Sequence, residues 1–159
     1  MVLRLGKKAP DFSLPDTDRA PRSLGEFTKN GAMVLAFFPF AFSGVCDKEM
    51  CTFRDGFGGF QKAGAQLVGV SVDSVFALKA FAQTYNLQFP LLSDFNKRVT
   101  RLYGVLQDTW GSIGYKGVSK RAVFVIDRRG MLRYRWATDT PSVEPPYAEV
   151  GRAIQKLAA

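Results

Sequence analysis

Histidine is absent from this 159-residue chain, and cysteine occurs only twice. The first absence removes Ser-His-Asp and Cys-His catalysis, HExxH zinc sites and histidine-based pH switching. The two cysteines, Cys46 and Cys51, are too few for a zinc-finger ligand set, and their C-x4-C spacing is not the C-x-x-C of disulfide oxidoreductases. Long apolar runs are also missing. The longest, Met33 to Phe42, is about half of the roughly 20 residues that a helix needs to cross a bilayer. The opening MVLRLGKKAP has no apolar run of signal-peptide length, so a soluble cytoplasmic protein without a membrane partner is expected. With 47% hydrophobic residues, 23% charged residues and neither a repeat nor a low-complexity tract, residues 1–159 are expected to form one globular domain.

What is present begins with charge. The chain carries a formal +8, of which a net +6 falls between Lys116 and Arg135, where Asp127 is the one acid. A solvated face accounts for this. The competing reading, a basic nucleic-acid-binding module, would use Tyr134 and Trp136 as stacking surfaces. Alternation sets Leu132, Tyr134 and Trp136 opposite Arg133 and Arg135, which places the aromatics in the core and argues against a nucleic-acid partner.

Short apolar runs alternate with helical patterns, as in α/β proteins. Met33 to Phe38 and Gln66 to Asp73 read as buried central strands, Pro90 to Ser93 as a short third, and Ala122 to Asp127 with Met131 to Trp136 as a hairpin through Arg128-Arg129-Gly130. Helical stripes recur at Val75, Leu78, Ala82 and Tyr85, and at Tyr147, Val150, Ile154 and Leu157. Leu106 to Ser119, with Gly111, Gly114 and Gly117, reads as a mobile loop that either overhangs a site or caps the core with Trp110 and Tyr115.

The sharpest signal is the strand-to-helix passage from Phe37 to Cys51. Pro39 lacks an N–H and ends the ladder, Ser43 is expected as N-cap, and Met50, Phe53, Phe57 and Phe60 follow at helical spacing. At about 100° per residue, Cys46 falls at the centre of this apolar arc, which spans roughly 80°. It faces the protein body from the first helical turn, where unpaired N–H groups and the macrodipole favour a thiolate. Asp47 and Glu49 oppose that, so a reactive thiol needs a basic side chain from elsewhere. Cys51 lies about 140° around the helix with its Cα near 8.6 Å from that of Cys46, beyond the ~7 Å that a disulfide spans. A Cys46–Cys51 bond therefore requires this turn to unwind. Cys46 as an inert buried hydrophobe and Cys51 as an idle thiol are the bland alternatives.

Pro39-Phe40-Ala41-Phe42-Ser43-Gly44-Val45-Cys46 resembles the Pro-x-x-x-Thr/Ser-x-x-Cys signature of the peroxiredoxins. Ala9-Pro10-Asp11-Phe12, Leu91-Leu92-Ser93-Asp94 and Arg121 to Asp127 follow in the order usual for that family. Cys46, Glu49 and Cys51 are similar to the bacterioferritin-comigratory, or Q-type, branch. Phe38-Pro39-x-Ala41-Phe42-Ser43 also resembles the one-cysteine alkyl hydroperoxide reductase E branch. Ser43 stands where threonine is commoner, and no cysteine lies near the C-terminus, so resolution by a partner subunit is not implied.

The resemblance implies a thioredoxin-like α/β fold, a central mixed sheet flanked by helices on both faces, and reduction of hydrogen peroxide or organic hydroperoxides. Cys46 would become a sulfenic acid, Arg121 would lower its pKa and hold the peroxide, and Ser43 with the Val45 and Cys46 amides would steady the leaving oxygen. Pro39 would shield the sulfur and Glu49 would orient Arg121. Cys51 would resolve the sulfenic acid within the subunit, and thioredoxin, a glutaredoxin-like protein or a small thiol would reduce the disulfide. No metal or redox cofactor is implied, and Phe40 and Phe42 suggest a homodimer. A one-cysteine peroxidase and a thioredoxin-like disulfide reductase remain as alternatives.

Overall fold

The computed structural model describes residues 3–158; both ends of the expected 1–159 domain lie outside the described residues. In chain order the elements are β1 (Ser13–Pro15), β2 (Pro21–Ser23), α1 (Leu24–Thr28), β3 (Met33–Phe37), α2 (Val45–Lys62), β4 (Gln66–Ser71), α3 (Val75–Tyr85) and β5 (Leu91–Ser93). There follow α4 (Arg98–Leu102), β6 (Leu106–Gln107), β7 (Val118–Ser119), β8 (Arg121–Ile126), β9 (Leu132–Thr138) and α5 (Tyr147–Ala158). The main sheet runs β5-β4-β3-β8-β9. Strands β3, β4 and β5 are parallel, whereas β8 and β9 run antiparallel to their neighbours, so the sheet is mixed.

Period-2 alternation distributes each central strand between two cores. Met33, Leu35 and Phe37, with Phe124 and Ile126 of β8, pack with Leu24 and Phe27 of α1, Val99 of α4 and Tyr103 just past it. Val34, Ala36 and Phe38, with Val123 and Val125, pack with Cys46, Met50 and Phe53 of α2, Leu78 and Phe81 of α3, and Val150 and Ile154 of α5. Helices therefore cover both faces, as expected for a thioredoxin-like fold.

The expected hairpin forms. Asp127 Oδ1 accepts from the Arg129 and Met131 amides at 2.9 Å each and its Oδ2 from Arg133 Nε at 2.7 Å, which pins the turn. Tyr134 and Trp136 pack on the α5 core while Arg133 and Arg135 are exposed, so the basic segment has no aromatic stacking surface there. Residues 106–119 differ from the irregular loop that the glycines suggest. Strands β6 and β7 pair there, and Trp110 bridges Tyr115 across a turn in which Gly111 and Gly114 hold positive φ.

Candidate active site

The site forms where β3 ends. Phe38 and Pro39 are buried, and residues 40–44 carry the chain into α2. That turn is held from outside: Asp73, just past β4, accepts at Oδ2 from the Ala41 amide at 2.8 Å and from the Ser71 hydroxyl at 2.7 Å. Phe42 adopts φ +65°, a left-handed conformation that is costly for an aromatic residue. Its ring is seated 5.1 Å from Phe81 and 6.3 Å from Tyr85. Phe40 takes Trp110 and Tyr115 edge-on at 5.3 and 5.6 Å, so the 110–115 turn lies over the loop.

The expectation for Ser43 is corrected in one respect. Gly44, at φ +79°, is the N-cap of α2 and no side chain caps the helix; Ser43 Oγ instead donates to the Phe40 carbonyl at 2.8 Å. Glycine alone takes that backbone angle without strain, which moves the cap one residue along. The Val45 amide, expected to face a leaving oxygen, donates to the Ser43 carbonyl at 3.0 Å.

Cys46 lies in the first turn of α2, fully buried. Arg121 opens β8, and alternation puts it on the same face as Val123 and Val125, under α2. Pairing of Phe37 with Ala122 brings it beside the end of β3. Its Nη1 donates to Cys46 Sγ at 3.2 Å and to Glu49 Oε1 at 2.7 Å, and its Nη2 donates to the Pro141 carbonyl at 2.9 Å. Both side chains of this ion pair are buried, at 1% and 0% exposure, which excludes Arg121 as an ordinary strand-edge cation. Glu49 Oε2 and Arg121 Nε have no protein partner.

Burial dominates the electrostatics. It pushes the Cys46 thiol above its ordinary value, against the pull of the Arg121 charge, the Ser43 hydroxyl and the Phe40 backbone, while Glu49 adds to the rise. Arg121 thus lowers the Cys46 pKa, as expected, while desolvation in the closed site raises it by more. Burial likewise pushes Glu49 up to about 7 despite its bond to Arg121.

The AhpC/TSA family matches residues 5–135. A bcp-type relative from Coxiella burnetii is 40% identical over 86% of this chain and 89% of its own. The chain belongs to the peroxiredoxins, in their Q/bcp branch. Peroxiredoxin Q of Triticum aestivum, named as chloroplastic, is 37% identical over 81% of this chain, which spans 57% of that relative's length. Among solved peroxiredoxins, BcpB of Mycobacterium tuberculosis superposes with a TM-score of 0.84 at 32% identity, covering 97% of both chains. The peroxiredoxin-like protein of Aquifex aeolicus gives 0.87 at 31% identity, covering 99% of this chain and 89% of its own.

Of the residues that the peroxiredoxin resemblance singles out, Cys46, Glu49 and Arg121 are in direct contact, with Ser43 and Pro39 in the adjoining turn. Cys51 stays in helical α2, half-buried and free. Asp73 and the Pro141 carbonyl are the parts that sequence reading missed. The one available signal was an acidic residue just past the carboxyl end of a parallel strand, where open α/β sheets place their sites. Among the described residues, no helix is long and apolar enough to cross a membrane, and no cluster of three metal-ligating side chains occurs.

Proposed function

We propose that this chain is a thiol peroxidase in which Cys46 reduces hydrogen peroxide or an organic hydroperoxide. The observation that carries the reading is the buried Arg121 Nη1 shared between Cys46 Sγ and Glu49. A fixed cation beside the fully buried Cys46 thiol offsets the developing charge in a site from which water is excluded. The Cys46 sulfur attacks the terminal oxygen in line, the O–O bond breaks, and water or alcohol leaves with Cys46 as the sulfenic acid. Arg121 holds the peroxide, its Nε–H being a buried donor with no protein acceptor. The Cys46 amide, in the unpaired first turn, steadies the leaving oxygen, joined by Ser43 Oγ once its hydroxyl turns from the Phe40 carbonyl. Buried Pro39 screens the sulfur, and Glu49 sets the guanidinium.

Cys51 then resolves the sulfenic acid within the same subunit, after the turn between the two cysteines unwinds, and a thioredoxin-type or small thiol donor reduces the disulfide. Unwinding is required because, with α2 formed, the two sulfurs sit on different sides of one helix. Mass spectrometry after one equivalent of hydrogen peroxide tests both steps. A Cys46–Cys51 disulfide that is replaced by a Cys46 sulfenic acid in Cys51→Ser is the expected result. No oxidation at Cys46 rejects the peroxidase. A sulfenic acid that persists in the unmodified protein rejects resolution by Cys51 and leaves a one-cysteine enzyme.

A further inference from the structure

Tyr85, the last residue of α3, is attached to α2 on both sides of Cys51. Its hydroxyl donates to Asp47 Oδ2 at 2.5 Å, and its carbonyl accepts from Arg54 Nη1 at 2.8 Å. At 100° per residue, Asp47, Cys51 and Arg54 share one side of the helix within about 60°, so Cys51 looks out between the two attachments. Asp47 Oδ1 is buried without a partner, which leaves the Tyr85 hydroxyl as the carboxylate's side-chain anchor. The Tyr85 ring packs on Phe81 at 5.4 Å, so the anchor is itself held by the core. The bond to Asp47, together with burial and the Asp47 charge, pushes the Tyr85 phenol above its ordinary value, so it stays a donor at neutral pH.

Asp47 belongs to the turn that must unwind before Cys51 can meet Cys46; Arg54 does not. Opening that turn breaks the Tyr85–Asp47 bond, whereas the Arg54–Tyr85 bond can stay and keep the rest of α2 in place. We propose that the Tyr85 hydroxyl is a catch on the first turn of α2, a positioning residue that sets how fast Cys51 reaches oxidised Cys46. The proposal rests on the reading of Cys51 as the resolving thiol. In the step it governs, the Cys51 thiolate attacks the sulfenic sulfur; the S–S bond forms and the S–O bond breaks. The departing hydroxide takes up the proton that Cys51 gave up and leaves as water, so no further oxidant or reductant enters. While the catch is closed, the sulfenic acid stays open to a second peroxide, which converts it to the sulfinic acid and itself becomes water or alcohol.

The test is a quenched-flow time course of the full chain with hydrogen peroxide, thiols trapped by alkylation and species counted by mass spectrometry. Tyr85→Phe keeps the ring and removes the catch. It is expected to leave formation of the sulfenic acid unchanged, to speed disulfide formation about 3- to 10-fold, and to lower the sulfinic yield in excess peroxide. Asp47→Ala should speed disulfide formation to the same extent, with the loss of a charge beside Cys46 read separately in sulfenic-acid formation, and the double variant should form the disulfide no faster than either single one, a non-additivity that general loosening would not produce. Amide exchange across residues 46–51 of the reduced protein should quicken in both. A disulfide that forms at the unmodified rate in Tyr85→Phe, with unchanged exchange, overturns the catch. Absence of any Cys46–Cys51 disulfide in all proteins overturns resolution by Cys51 instead, and the exchange rates then decide whether Tyr85 restrains the turn.

Discussion

Replacing Glu49 with glutamine isolates the charge that competes with the Cys46 thiolate. Both acceptors contact one nitrogen, Arg121 Nη1, at 3.2 and 2.7 Å, so they stand within about 6 Å of each other. Two anions on one buried cation repel, and at an effective dielectric of about 20 that repulsion is about 3 kcal/mol. Glutamine keeps an oxygen for Arg121 and removes the charge. Above the Glu49 titration at about 7, the variant should therefore hold roughly a hundredfold more Cys46 as thiolate. Well below that pH Glu49 is already protonated, and the two proteins should agree. The assay is the rate of Cys46 alkylation against pH in a Cys51→Ser background, where the curve should move to lower pH.

Stability gives an independent check on the same charge. Because the folded pKa of Glu49 lies above its ordinary value of 4.5, the native state holds a proton that the unfolded chain releases. Its contribution is full below about pH 4.5, falls as pH rises towards 7, and amounts to about 3 kcal/mol. Glu49→Gln should abolish that slope in urea midpoints measured from pH 4.5 to 8, matching the unmodified protein near pH 4.5 and exceeding it near pH 8. A Cys46 alkylation profile that stays put or moves to higher pH would refute the shared-cation argument.

Arg121→Lys keeps a charge but cannot bridge Cys46, Glu49 and the Pro141 carbonyl from one planar group, so the second-order rate with hydrogen peroxide should fall about 100-fold or more by stopped flow. Asp73→Ala removes the acceptor shared by the Ala41 amide and the Ser71 hydroxyl; it should cost about 1–3 kcal/mol in urea unfolding and slow Cys46 oxidation about tenfold. For Asp127, burial is outweighed by the Met131 amide, Arg133 and the Arg129 amide, which hold its pKa below the ordinary value of 3.8. Its stabilisation is present above about pH 4 and lost as pH falls below, so Asp127→Asn should flatten the acid limb of the stability curve.

What the sequence made legible follows from local rules. Hydrophobic period placed every strand of the main sheet and put Cys46 on the buried side of α2, because periodicity needs only neighbours in the chain. Alternation also predicted that Tyr134 and Trp136 face the core, against which they pack partly buried. The resemblance carried Arg121 to the site; its burial could not be read, since it depends on Phe37 pairing with Ala122 about 85 residues away. The same reason hides Asp73, Tyr85 and the Pro141 carbonyl, whose partners are brought near by the sheet alone. Ser43 was misplaced as a cap because propensity favours serine there, while the backbone angle at the next position demanded glycine.

The raised Cys46 thiol has the same origin. First-turn N–H groups and the macrodipole are visible in sequence and contribute about 0.3–2 kcal/mol. Complete desolvation of the sulfur is a property of the assembled core, and an ion in a protein interior loses several kcal/mol of hydration. One cation could offset that loss, but Arg121 divides its charge between Cys46 and Glu49. The thiolate in this closed pocket is therefore tied to the proton on Glu49: when the carboxyl is protonated, the guanidinium serves the sulfur alone. On the proposed reading, reactivity at Cys46 belongs to the three-residue unit, and altering Glu49 should change the chemistry as surely as altering Arg121.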